Sequence, residues 1–411
     1  MKKNLSILIF SILLLASCST DNPVVVPDKP VDNYLVEAQQ TGVATKEFLA
    51  LVLNFSGYQD YAEMLNSNVK AIRVTYNTLY KGSKLVVSGV FCVSENFDPQ
   101  YPTVIYEHGT ILENEAPSLA IADMFSYTQE VALCMALASI YNCAVLLPDY
   151  IGYGVSASIT HPYLHSESIG QASLDMIRAF KEYTADPESQ LSFNNNVFIT
   201  GYSEGGYAAV ALQKKIQEAS TNLRIEKVVA GSGPYDNVGF AKECLGQTTD
   251  LGDKFISSYL WTIGMYKNDY GYSKNYNAMF SDADNALLQA SGYDFGYFHP
   301  MGLAINTNPS LLFKTEFING VLLDTDTELL SILAENSLTN FTPSDSLIFV
   351  YGTADDWVYP LNTINAYNAM SEKGCKVKCY IYPNGDHITT LSYYLDVLFE
   401  RLQMLSKLNN F

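Results

Sequence analysis

Basic residues are scarce in this chain: 24 Lys and Arg face 43 Asp and Glu, which leaves a formal net charge of −19 over 411 residues. No basic run offsets that balance, so the surface repels phosphate backbones and nucleic acid is excluded as a partner. Charged residues of both signs make up 16% of the chain and apolar ones 48%, which excludes a disordered, solvent-swollen polymer. Histidine occurs five times, at His108, His161, His165, His299 and His387, so chemistry that needs an imidazole has few places to occur. Cysteine is sparse as well, and no spacing of Cys and His suggests zinc. No metal and no cofactor is expected. Cys375 and Cys379 are four apart on an expected strand. Extended chain would hold their α-carbons about 13 Å apart, beyond the roughly 7 Å limit of a disulfide. An apolar run long enough to span a bilayer is missing too: residues 5–16 are apolar but number about a dozen, against the roughly 20 a spanning helix needs.

That short run has the marks of an address. Lys2 and Lys3 precede it as a basic n-region, and it ends in Leu15-Ala16-Ser17-Cys18. This ending resembles a bacterial lipobox, where the peptide is cleaved before a cysteine that becomes lipidated. The resemblance to bacterial lipoproteins implies an exported chain, lipid-anchored through Cys18 to a membrane, on the periplasmic face, the outer membrane or the cell surface. Residues 19–33 are polar and contain proline, and read as a flexible stalk.

From residue 68 onward, short β-branched runs alternate with longer helical segments. Residues 69–76 and 84–92 read as two strands joined by a turn at Lys81-Gly82-Ser83. Residues 103–106 are a short buried strand, 118–140 have helical spacing, 143–147 are the next strand, and 170–184 a helix. A strand at 197–200, a helix at 205–218 and a strand at 227–230 follow. Strands alternating with helices of ten or more residues indicate a mostly parallel sheet with crossovers. Between residues 235 and 345 the alternation stops. This stretch holds Trp261, a tyrosine-rich segment at 266–276 and helical pieces such as 322–334, with few β-branched runs. So long a segment is not a plain loop in a compact domain, and it reads as a mainly helical cap inserted after the sixth strand. The sheet resumes at 346–351 and 376–382, and a terminal helix spans 391–408. The core is thus expected at 34–234 and 346–411.

Gly201-Tyr202-Ser203-Glu204-Gly205 stands between the strand at 197–200 and the helical stretch that follows. A serine at the tip of so tight a turn sits in strained backbone, and glycines on either side let helix and strand approach. A serine hydroxyl is a weak nucleophile, so it needs a base and a third group to orient the base. His387 is the candidate base: Pro383-Asn384-Gly385-Asp386-His387-Ile388 follows the last expected strand and precedes the final helix. Tyr351-Gly352-Thr353-Ala354-Asp355-Asp356 ends the strand before, and Asp355 is favoured over Asp356 as the acid. Asp386 adjoins the histidine in sequence and is a poor orienter, because adjacent side chains point apart. Acyl transfer also needs donors for the developing oxyanion. Glu204 supplies one through its backbone N–H, and Gly109 or Thr110, in Glu107-His108-Gly109-Thr110, supplies the other.

Together with Pro148-Asp149-Tyr150-Ile151-Gly152-Tyr153-Gly154, His161-Pro162-Tyr163-Leu164 and Gly231-Ser232-Gly233-Pro234-Tyr235, these motifs resemble secretory lipases and related bacterial α/β-hydrolase lipoproteins. The resemblance covers roughly residues 68–408. It implies the α/β-hydrolase fold, the order nucleophile, acid, histidine as Ser203, Asp355, His387, activity on small-molecule esters, and a cap that shapes an acyl-binding tunnel. The cap here is tyrosine-rich and carries no motif of that family, so the resemblance is specific for fold and triad and looser for substrate. Asp149 and His161 read as loop-stabilising. The leading expectation is a serine carboxylic ester hydrolase, a carboxylesterase or lipase. A peptidase of the prolyl-oligopeptidase type shares the triad order, but the region before residue 68 is too short for the propeller such enzymes carry. A non-catalytic lipoprotein that binds glycan or aromatic ligands through the chain's 30 tyrosines is the reading from another class.

Overall fold

The computed structural model describes residues 33–111, 116–120, 129–296, 299–300 and 302–408. The expected signal peptide, Cys18 and the stalk up to residue 32 lie outside the described residues. Among the described residues nine strands form one sheet: β1 (Leu35–Ala44), β2 (Val69–Tyr80), β3 (Ser83–Ser94), β4 (Thr103–Glu107), β5 (Ala144–Pro148), β6 (Asn196–Tyr202), β7 (Arg224–Gly231), β8 (Leu347–Gly352) and β9 (Val377–Tyr382). Their spatial order is β1-β2-β3-β5-β4-β6-β7-β8-β9. The first three pair antiparallel, β3 pairs antiparallel with β5, and from β5 to β9 every pair is parallel. Tyr80 faces Ser83 across a two-residue turn, in which Lys81 and Gly82 both take positive φ. This is the hairpin geometry that suits the twist of the flanking strands.

The central strands are apolar without alternation because both faces are covered. β4, β5 and β8 are buried at every residue. One apolar cluster packs helices Ser166–Ala185, Glu204–Glu218 and Leu361–Glu372 on one face, through residues such as Phe180, Ala208 and Met370. A second packs helices Lys46–Phe55, Gln129–Tyr141 and Thr389–Leu408 on the other, through Leu49, Leu137 and Leu398.

Three expectations are corrected. The chain gains a strand before residue 68, so the serine turn follows β6 and the insertion follows β7; counted from β2, they follow the fifth and sixth strands as expected. The additional strand, β1, pairs with β2 alone as an edge and is rich in polar residues, Glu37, Gln39, Gln40 and Thr41. It therefore lacks the apolar alternation that marks a half-buried strand. The helical piece expected at 322–334 is instead two helices, Thr315–Leu322 and Thr327–Glu335. Asp324 takes a left-handed φ of 59° between them, and the Asp326 side chain caps the second by accepting from Leu329 N. Cys375 lies two residues ahead of β9, outside the strand, and its thiol and that of Cys379 are free.

Within the insertion, the described residues form helices Asn237–Leu245, Asp253–Tyr270, Tyr276–Met279, Asp282–Ala290, Pro309–Leu312, Thr315–Leu322 and Thr327–Glu335. An isolated bridge joins Phe280 to Phe313. These helices share an apolar cluster of their own, centred on Leu260, Met279, Phe280, Phe313, Phe317 and Val321.

Candidate active site

Ser203 sits between β6 and helix Glu204–Glu218 with φ 60° and ψ −125°, a conformation that L residues rarely adopt. Its amide donates to Gly231 O at 2.9 Å, which pins the turn to β7. A Cβ on Gly205 would lie 2.0 Å from Glu107 O, and one on Gly201 2.3 Å from Gly205 O. No side chain fits there, so helix, β6 and β4 can close on the serine only with glycine at both positions.

His387 lies in the turn between β9 and helix Thr389–Leu408. Its Nδ1 is 2.8 Å from Asp355 Oδ2 and its Nε2 is 2.9 Å from Ser203 Oγ. A carboxylate only accepts, so Nδ1 carries the hydrogen and Nε2 is left to accept from the serine hydroxyl. Asp355 is buried after β8, and its Oδ1 accepts from the amides of Trp357 at 3.1 Å and Val358 at 2.9 Å. The backbone carbonyl of His387 accepts from Tyr202 Oη at 2.6 Å, and the Trp357 ring lies 5.3 Å from the imidazole. Each of the three residues is thus held by groups beyond the other two, Ser203 through its backbone amide, His387 through its carbonyl and Asp355 through its carboxylate. Asp356 is exposed. Asp386 turns to the final helix, where its Oδ1 accepts from Thr389 N and Oγ1, each at 2.7 Å. Those bonds hold its carboxyl below the usual range.

The loop after β4 runs beside the serine: a Cβ on Gly109 would lie 4.0 Å from Ser203 Cβ. The Gly109 amide is engaged by Glu130 Oε1 at 3.0 Å, and the same oxygen accepts from Tyr106 Oη at 3.2 Å. Thr110 Oγ1 lies 3.3 Å from Tyr163 Oη. His108 is buried under this loop against the Tyr150 ring, 4.1 Å between centroids, with Nδ1 2.7 Å from Gly109 O. Asp149 accepts from Ser88 Oγ at 2.5 Å, Ser118 N at 2.9 Å and Ser118 Oγ. Burial raises its carboxyl above the usual range despite these bonds. Sequence reasoning missed Glu130, Tyr202 and the Trp357 ring because each acts through a contact between segments far apart in the chain.

Ser203 and Glu204 open onto a cavity that extends between the sheet and the inserted helices. Phe240, Ile263, Phe313, Phe317 and Leu333 line it, with Trp357 and Val358 on the side of the acid loop. A cleft that is mostly apolar and meets a few convergent polar groups is where a small ligand binds.

A sheet with an antiparallel start and parallel continuation, helices on both faces and a serine turn after the strand next to β4 is the α/β-hydrolase fold. Solved structures agree on the fold. A Legionella pneumophila protein assigned as a hydrolase superposes with a TM-score of 0.77 at 19% identity, covering 91% of this chain and 98% of that one. The rice cell wall degrading esterase LipA from Xanthomonas oryzae superposes with a TM-score of 0.73 at 21% identity, over 93% of this chain and 98% of that one. Candida antarctica lipase A in its closed state gives 0.67 at 14% identity, over 91% and 82%. Neither a family model nor a curated protein matches the sequence.

Proposed function

We propose that the protein is a serine carboxylic ester hydrolase acting through an acyl-enzyme on Ser203. The observation that carries the reading is the unbroken hydrogen-bonded series Ser203, His387, Asp355 at the mouth of an apolar cavity. Ser203 Oγ attacks the ester carbonyl while its proton passes to His387 Nε2, and the imidazolium is stabilised by Asp355. That proton then goes to the departing alkoxide oxygen as its bond to the acyl carbon breaks. Water attacks the acyl-enzyme by the same route, its proton passing through His387 back to Ser203 Oγ as the acid leaves. The amide of Glu204 faces the developing oxyanion as one donor. Of the two amides weighed for the other, Gly109 already donates to Glu130, so the reading assigns Thr110. The cavity takes the acyl group of a small-molecule ester, in keeping with the esterase and lipase that share the fold.

A fluorophosphonate probe tests the assignment: it should label the wild type and leave Ser203→Ala unlabelled. Equal labelling of both would sink it. Cleavage of peptidyl amides with no cleavage of any p-nitrophenyl ester would turn the reading to the peptidase.

The location is proposed on Leu15-Ala16-Ser17-Cys18 alone: export, cleavage before Cys18 and lipid anchoring. A single acyl chain holds a protein only marginally while several hold it stably. Palmitate incorporated by the full chain in bacteria and lost in Cys18→Ser supports the anchor; incorporation by both refutes it.

A further inference from the structure

His161, in the loop after β5, is not used by the ester reaction above, yet it contacts the residue next to the nucleophile. His161 and Glu204 are both buried, with Nε2 2.7 Å from Glu204 Oε1. Its Nδ1 lies 2.7 Å from Ile151 O, an atom that can only accept, so Nδ1 carries a hydrogen. A neutral ring in that tautomer would turn the lone pair of Nε2 onto a carboxylate oxygen. A proton therefore sits between Nε2 and Oε1, and the two side chains share a short hydrogen bond. The rings of Tyr150, Tyr153, Tyr163 and Trp261 surround the imidazole, with centroids between 4.9 and 6.3 Å away.

Both ends of this pair are tied. Glu204 Oε2 is buried and meets no hydrogen-bond partner among the described residues, so His161 is what anchors the carboxylate. On the other side, Trp261 Nε1 donates to His161 O at 3.0 Å. Gly152 packs so closely that a Cβ there would lie 2.4 Å from His161 Cα. Trp261 belongs to helix Asp253–Tyr270, which presents Thr262, Ile263 and Tyr266 to the cavity. Along the chain 57 positions separate Glu204 from Trp261, so the contact is one of tertiary packing.

We propose that His161 and Glu204 form a positioning pair: it fixes the Glu204 amide as oxyanion donor and couples that amide, through Trp261, to the wall of the acyl cavity. The inference rests on the reading of Ser203 as nucleophile. A residue that acts on the oxyanion donor changes the transition state and leaves ground-state binding alone, so kcat falls while KM holds.

The test compares wild type, Glu204→Gln and Trp261→Phe by kcat and KM on a p-nitrophenyl ester, and by Ki for a trifluoromethyl ketone, which captures the tetrahedral oxyanion on the serine. Glu204→Gln can still donate an amide N–H to His161 Nε2 but removes the acidic group. Its kcat should fall about tenfold with KM within about twofold, and Ki should rise by the same factor as kcat falls. Trp261→Phe keeps the ring packing and loses the one N–H; it should show the same split at about threefold. If Glu204→Gln does not fold, Trp261→Phe decides. Variants whose kcat and Ki stay within about twofold of wild type, whatever their thermal stability, overturn the pair. A wild type that fluorophosphonate does not label overturns the reading of Ser203 and the inference with it, whereas a labelled wild type with indifferent variants overturns the pair alone.

Discussion

The sheet and the inserted helices divide the work of this molecule. In the sheet the backbone has almost no freedom around the site: Gly201, Gly205 and Gly206 each sit where a Cβ would fall within 2.3 Å of a carbonyl oxygen. The groups that would do the chemistry, Ser203, Asp355 and His387, stand on three turns at one edge of that sheet and are cross-braced by Tyr202, Trp357 and Val358. The insertion is built otherwise. It packs short helices around phenylalanine, leucine and methionine, encloses the far end of the cavity, and keeps an apolar cluster of its own. Under the proposed function, the difference assigns the reaction to the sheet and the choice of acyl group to the insertion, with the contacts Glu204–His161–Trp261 as the point where the two meet.

The largest effect that would break this comparison lies in the sheet. Asp355→Asn retains the shape of the side chain, but an amide group facing His387 Nδ1 favours the wrong tautomer, with the hydrogen on Nε2 where it blocks proton transfer from the serine. The proposed mechanism expects kcat to fall about 10⁴-fold with stability little changed; a loss under tenfold would remove Asp355 from the mechanism. Gly205→Ala acts on folding. Its methyl collides with the backbone carbonyl of Glu107, 2.0 Å away, and neither strand nor helix can move without disturbing the buried layers. A cost of about 3 kcal/mol or more is expected, roughly 4 °C in Tm for a domain of this size, and a variant as stable as wild type would mean that the elbow is less tightly packed than it stands. The insertion should answer differently. Ile263→Trp narrows the cavity wall away from the triad. Long-acyl p-nitrophenyl esters should lose about tenfold in kcat/KM while the acetate ester stays within about twofold. A uniform loss across chain lengths would show that the helices shape the reaction itself.

The same division explains what could be read from the sequence. Buried parallel strands such as Leu347–Gly352 are continuous apolar runs between turn residues, and the serine, the acid and the histidine stand in turns whose glycines announce them. The edge strand Leu35–Ala44 was illegible because its pairing, and not its pattern, makes it a strand. In the insertion only the class, mainly helical, could be read: the break between Thr315–Leu322 and Thr327–Glu335 is set by one left-handed residue, Asp324, and one cap, Asp326. The choice between Gly109 and Thr110 was open for a similar reason. It turns on Glu130, a carboxylate 21 positions away in sequence that takes up the Gly109 amide.

The remaining effect is read as a pH dependence and concerns a buried carboxyl that no step of the reaction uses; it asks whether the rigidity of the sheet edge costs stability. Glu107 ends β4, directly before the loop that faces the serine, and is fully buried. Its Oε2 accepts from Ser173 Oγ at 3.0 Å, while Oε1 has no partner among the described residues. Burial pushes its pKa from 4.5 up to about 8. The native state therefore holds a proton that the unfolded chain releases above about pH 4.5. Stability from this group is fully present below that pH, falls by about 1.4 kcal/mol per pH unit through the window, and stops falling above about 8. Glu107→Gln is neutral throughout and keeps an oxygen for Ser173. The Tm of Glu107→Gln minus that of wild type should rise steadily from pH 5 to pH 8 and then level off. A difference that is flat over this range would mean that Glu107 is ionised in the folded protein, and that the sheet edge beside the serine tolerates a buried charge.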